Sequence, residues 1–326
     1  MPCPSLVRRA CLACLAASLP LAAPAQAARY PSRPVTMVVP FSAGGSVDAV
    51  ARMLAVQLGR RLDAQVVVEN VPGAGGVIST QRVARAAPDG YTLLFTTPNH
   101  TINPAITPRL SFDTEKDFAP IGLVAQIPEL LVASGNQPFD DFKSFVDYAR
   151  KHPGKLTYGS AGNGTLPHVT MELLLLKLGI QVVHVPYKGA APALNDLLGG
   201  QIAVKMDTVT TSQPHFAGGR IKPLAIASAK RSALLPEVPT IAESGVPGYE
   251  GILWLGVLAP AGTPREVIDV LHRTMAGIGK DPAWISQLQA AGVEPRTSTP
   301  EDFAGMISAE IRQWKDVVRR ARITAN

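Results

Sequence analysis

Glycine is grouped with serine, threonine, asparagine and histidine at two places in this chain, and both groupings suit the binding of an anion. One is Pro40-Phe41-Ser42-Ala43-Gly44-Gly45-Ser46-Val47-Asp48; the other is Ser160-Ala161-Gly162-Asn163-Gly164-Thr165, with His168 three residues on. Residues without a Cβ let the main chain approach a ligand closely. Where such a turn leads from a strand into a helix, N–H groups and the positive end of the helix dipole converge on one spot. That geometry holds a carboxylate without any catalytic side chain. Each dipole contributes roughly 0.3–1 kcal/mol when exposed and up to about 2 when partly buried. A plain strand-to-helix connection has the same composition, so the duplication of the turn is what favours anion binding.

Other chemistries fit less well. Neither turn is followed by Gly-Lys-Ser/Thr, and no G-x-G-x-x-G occurs, which excludes a P-loop and a dinucleotide fingerprint. A nucleophile elbow around Ser160 would need glycine where Tyr158 stands. An exported serine hydrolase using Ser160 and His168 is therefore a rival reading, with no acidic partner to name. The six histidines form no HExxH or close pair, so no metal site and no cofactor are expected. Ser46 and Thr165 are placed as N-caps, and Asp48 complements the dipole of the first helix. Thr97 and Asp207, each at the end of a strand, and Tyr187 beyond another offer further polar walls.

The elements that must hold these residues alternate. Val35–Val39 is an apolar strand, and Val47, Val50, Ala51, Leu54 and Leu58 repeat at helical spacing. Strand 66–70, turn 72–76, a helix over about 77–87 and strand 91–96 follow, leading into a polar loop over 97–103. A second series begins past Glu129, with strand 130–133, helix 139–152, strand 156–160, helix 166–178 closed by Gly179, strand 182–185, helix 191–198 and strands 202–206 and 223–227. Strand 254–259 recrosses to the first unit, and helices over 264–277 and 300–321 complete it. Alternation of this kind predicts α/β layers with a largely parallel sheet, binding its ligand at the carboxyl ends of the strands. The organisation is two lobes, 28–132 with 256–326 and 133–255, with a ligand cleft between them.

Met1–Ala27 has the parts of a secretory signal: Arg8 and Arg9, an apolar stretch over Ala10–Ala23, and Ala25-Gln26-Ala27 as a small-x-small cleavage site. The apolar run is shorter than the roughly 20 residues of a spanning helix. Cys3, Cys11 and Cys14 all lie in that segment, so the 326 residues less the first 27 leave 299 without a disulfide or thiol nucleophile. That length supports one or two ordinary cores. The net charge of +6, less the two arginines, leaves +4. Basic residues are scattered, with no aromatic-basic platform for nucleic acid.

Several blocks together resemble the Bug-type substrate-binding proteins of tripartite tricarboxylate transporters. They are Tyr30-Pro31, Pro40–Gly45 with Asp48, Val68–Gly76, Pro88–Leu93, Val185–Gly189, Asp196–Gly200 and Pro260–Pro264, in order along nearly the whole mature chain. The resemblance implies a type II periplasmic binding-protein fold, two α/β lobes closing on a small carboxylate ligand in the periplasm. It implies a monomeric, non-catalytic receptor that serves membrane permease subunits, or, on the same fold, one that signals to a sensor kinase. It also implies a grip on the carboxylate by Phe41–Ser46 and Ser160–Thr165, with Asp207 on the cleft floor. On that reading Phe41 packs on the ligand body, Ser42 lies in the first loop, and N–H groups of 43–46 and 163–165 hold carboxylate oxygens. Ser160, Thr165 and His168 add side-chain donors, while Thr97 and Asp207 select the distal end. Two departures bear on ligand choice: Val47 replaces an expected hydroxyl residue, and Thr208–Thr211 replaces an Asn-containing segment.

Overall fold

The computed structural model describes residues 30–107 and 109–323. The expected signal segment Met1–Ala27, with the three cysteines, lies outside the described residues.

The first lobe opens with β1 (Val35–Val39), α1 (Ser46–Leu62), β2 (Val66–Asn70), α2 (Val77–Ala84), β3 (Thr92–Thr96) and α3 (Asn99–Ile106). β1 pairs in parallel with β2 and β3, placing Met37 beside Val68 on one side and Leu93 on the other. The parallel direction brings the starts of α1, α2 and α3 to the same edge of the sheet. Val50, Leu54 and Leu58 of α1 are buried against Met37, Val39, Leu93 and Phe95. Each such side chain contributes about 1.5–3 kcal/mol relative to exposure. α3 corrects the expectation of a loop at 97–103.

β4 (Phe118–Ser134) is a single strand of 17 residues. Its residues 118–128 pair antiparallel with β9 (Ile252–Pro260), whereas 129–134 pair with strands of the second lobe. That lobe holds α4 (Phe142–Lys151), β5 (Thr157–Ser160), α5 (Leu166–Leu178), β6 (Val183–Pro186), α6 (Ala190–Leu198), β7 (Val204–Thr208), the short α7 (Val209–Ser212) and β8 (Ile221–Ile226). β9 returns the chain to the first lobe, followed by α8 (Arg265–Gly279), α9 (Pro282–Ala290), β10 (Glu294–Pro295) and α10 (Pro300–Ala321).

The strand order is β2-β1-β3-β9-β4-β7-β5-β6, with β8 and β10 also on β4. Because β4 and β9 run antiparallel to their neighbours, the sheet is mixed rather than largely parallel as expected. α10 ties the halves together. Its Phe303, Ile307 and Ile311 pack with Trp254 and Leu258, and its Trp314, Val317 and Val318 pack with Leu166 and Val169 of α5. Among the described residues no helix is long and apolar enough to cross a membrane.

Candidate ligand-binding site

The turn after β1 is held from beneath by one buried carboxylate. Asp48 accepts the Gly44 N–H at 2.9 Å, the Asn70 amide at 2.8 Å and Arg52 Nε at 3.0 Å. Asn70 Nδ2 also donates to the Phe41 carbonyl at 3.0 Å, and Arg52 Nη2 donates to Asn70 Oδ1 at 2.8 Å. Both sides of the turn are thereby fixed to β2 and α1. Burial pushes the Asp48 carboxyl up, but Arg52, the Gly44 N–H and Asn70 outweigh it and hold the pKa at about 2. Gly44 has φ +90, where a side chain is disfavoured although nothing crowds the position. Gly45, not Ser46, is the N-cap of α1, and no side chain caps the helix; Ser46 is already its first residue. The expected N–H cradle of residues 43–46 is thus narrowed. Gly44 is engaged by Asp48, while the N–H groups of Ala43, Gly45 and Ser46 have no acceptor among the described residues. Ser42 to Ser46 are exposed, and Phe41 is half-buried against the first core.

The turn after β5 is braced by rings. Ser160 is fully buried, its Oγ 2.7 Å from Nε2 of His184 and 3.1 Å from both the Gly162 carbonyl and the Gly162 N–H. His168, expected as a side-chain donor to the ligand and paired with Ser160 only in the rival hydrolase reading, accepts the Gly164 N–H on Nδ1 at 2.9 Å. The two imidazoles stack 3.8 Å apart, and His184 stacks on Tyr158 at 4.7 Å. Burial pushes both imidazoles down, His168 to about 3 with His184 adding to it, and His184 to about 4. His184 escaped the sequence reading because only the β5–β6 register, which sets it beside Tyr158, brings it to the turn. Thr165 is the N-cap of α5 by backbone position, but its hydroxyl donates to the Gly162 carbonyl at 2.7 Å rather than capping the helix. The N–H groups of Gly164 and Thr165 are also internally bonded, so of the expected cradle of residues 163–165 the Asn163 N–H is left without an acceptor among the described residues.

The remaining expected residues divide. Thr97 is fully buried, and its hydroxyl has no partner among the described residues. It stands just before α3, whose Asn99 and Asn103 lie against Gly75 and whose Ile106 lies against Gly164. The end of α3 and the second turn are therefore neighbours across the lobes, while its start faces Gly75 within the first lobe. The Tyr187 hydroxyl is engaged by Asp196 at 2.6 Å. Asp207 is not free to receive a ligand cation: it pairs with Lys205 at 2.8 Å and accepts the Ser212 hydroxyl at 3.1 Å. Lys205 passed unnoticed in the sequence because its alternation along β7 carries no mark of burial. A cavity of about 230 Å³ lined by Trp254, Arg296, Glu310 and Trp314 shares no residue with either turn.

Comparison with known proteins bears on this arrangement. A family model described as "Tripartite tricarboxylate transporter family receptor" matches residues 50–323. Protein BugT of Bordetella pertussis is 36% identical over 301 residues, covering 92% of each chain. A solved structure of R. palustris Rpa4515 with adipate superposes with a TM-score of 0.80 at 36% identity, covering 90% of this chain and 99% of that one. MatC from Rhodopseudomonas palustris with bound malate superposes with a TM-score of 0.76 at 33% identity, covering 89% of this chain and 100% of that one.

Proposed function

The chain belongs to the tripartite tricarboxylate transporter receptor family, and from that premise we propose that it is an exported receptor that carries a small carboxylate to membrane permease subunits. The signal segment Met1–Ala27 would direct it to the periplasm, and the mature protein would work as a non-catalytic monomer. Lobe 1, taken as 28–132 with 256–326, and lobe 2, taken as 133–255, would close about the crossings of β4 and β9. Adipate and malate, held by two similar proteins, are both dicarboxylates, which supports a ligand of that class.

One observation carries the reading: each lobe presents a glycine turn at a helix N-terminus, shaped by buried side chains, with N–H donors that have no acceptor among the described residues. Ala43, Gly45 and Ser46 would meet one carboxylate from lobe 1, with Ser42 beside them and Phe41 against the ligand body. Asn163 would meet it from lobe 2, with the Thr165 and His168 side chains at the rim. The Thr97 hydroxyl, buried and without a partner among the described residues, would be completed by a polar atom of the ligand; leaving it unpaired costs about 1–3 kcal/mol. Asp48, Gly44, Ser160 and Gly164 shape the turns, while Tyr187 and Asp207 would line the distal end.

A thermal-shift panel of mono-, di- and tricarboxylates, aromatic acids and acidic amino acids tests this. A true ligand at a hundredfold excess over its Kd stabilises the fold by about 2.7 kcal/mol. A flat response across the panel would overturn the proposal.

A further inference from the structure

An ammonium group taken out of water needs an anion to meet it, and an unpaired buried charge is strongly unfavourable. The acids around the proposed site are already engaged. Asp207 has Lys205 Nζ on Oδ1 and the Ser212 hydroxyl on Oδ2, and its side chain and that of Lys205 are 5% and 1% exposed. A second Lys205 proton goes to the Met206 carbonyl at 3.2 Å. The protein thus closes this ion pair itself. Asp48 is held by Arg52, Asn70 and the Gly44 N–H. Glu129, where β4 changes partners, is buried and accepts the Thr170 hydroxyl at 2.5 Å. Burial pushes its pKa up to about 8, against Thr170 and Lys205, which leaves it mostly uncharged at neutral pH. Asp196 differs: it accepts the Tyr187 hydroxyl and has no basic partner among the described residues.

We infer that the site takes carboxylates carrying no ammonium group, with Lys205 as a specificity-determining residue that neutralises Asp207. The inference rests on the proposed reading that Asp207 lines the distal end of the cleft. A ligand amino group arriving there would meet a neutral ion pair rather than a carboxylate. A diacid therefore binds in preference to the amino acid built on the same skeleton.

Calorimetric titration of the mature chain at pH 7 tests this with three pairs: succinate and L-aspartate, glutarate and L-glutamate, adipate and L-2-aminoadipate. Within each pair only the amino group differs. At least one diacid should bind about tenfold or more tighter than its partner. An amino acid binding as tightly as its diacid overturns the inference and leaves the carboxylate receptor standing. Silence from all six overturns the dicarboxylate class for this site, and the inference with it. In Lys205→Met the preference should fall about tenfold towards equality, since Asp207 is released; an unchanged ratio removes Lys205 from the role. Asp196→Asn should leave the wild-type ratio unchanged, and a ratio that moves assigns the selection to Asp196 instead. The wild-type ratios stand whether or not the Lys205→Met chain folds.

Discussion

The Ser160 hydroxyl and Nε2 of His184 lie 2.7 Å apart on neighbouring parallel strands. A serine–histidine contact of this kind invites a nucleophile, but Ser160 is fully buried and also bonded to both backbone groups of Gly162. Its role is to shape the turn. Ser160→Ala should lower stability by about 0.5–1.5 kcal/mol per lost hydrogen bond, read from urea unfolding. Intact-mass analysis with a fluorophosphonate probe should show no label, and labelling of Ser160 would restore the hydrolase reading.

His168 accepts a backbone N–H on Nδ1, so its ring proton is assigned to Nε2 and the ring must be neutral. Burial depresses its folded pKa to about 3, below the roughly 6.5 of an unfolded imidazole. The unfolded chain therefore binds the proton first. The stability His168 contributes is full above about pH 6.5 and is lost as pH falls towards the folded value. Glu129 runs the other way: its folded pKa is raised to about 8, so its contribution is full below the roughly 4.3 of an unfolded carboxyl and is lost as pH rises from there through about 8. The clean readout is a difference: the stability gap between wild type and His168→Gln should narrow from pH 7.5 to pH 4. A gap constant across that range would contradict the assignment.

Gly164 has φ +69, and a Cβ there would overlap Ile106 Cδ1 from α3. Gly164→Ala should cost about 1–2 kcal/mol for the left-handed backbone alone, with the contact adding to it. In an Ile106→Ala background the backbone part should remain and the added part disappear. Urea midpoints of the four chains give the comparison, and equal costs in both backgrounds would refute the contact.

Asp48→Ala removes the acceptor of Gly44, Asn70 and Arg52 together. Both sides of the first turn should loosen, and affinity for the best carboxylate of the panel should fall about tenfold or more, since hydrogen bonds to a charged group contribute about 1.5–3 kcal/mol. Arg52→Ala should matter less, because Arg52 is half exposed and solvent screens its pairing. Titration of both variants decides the order, and a larger loss in Arg52→Ala would reverse the account.

Local signals were legible where they were complete. α5 and α10 begin and end where expected, at 166–178 and 300–321, because their terminal signals are adjacent in sequence: Thr165 and Gly179 for one, Thr299 bonding Asp302 for the other. The first half of β4 carries Pro120, Gly122 and Pro128, residue types that interrupt a regular strand, so no plain alternation marks it in the sequence. In the structure the pairing register shifts between Pro120 and Gly122, and Pro128 falls where the strand changes partners. α3 was masked by Pro104 and by the polar run 97–101, and Thr101 is bonded to Glu310, 209 residues away.

The sequence by itself determined the two glycine turns, the alternation that makes two α/β lobes and the resemblance that the family match bears out. Those features rest on backbone freedom and on periodicities that span a few neighbouring residues. Only the tertiary structure decided which donors remain free, that Ser160 meets His184 rather than His168, and that Asp207 is neutralised by Lys205. Strand register and burial choose those partners. Both are set by residues far apart in the chain, and in a buried site each polar group takes whichever partner the packing brings within reach.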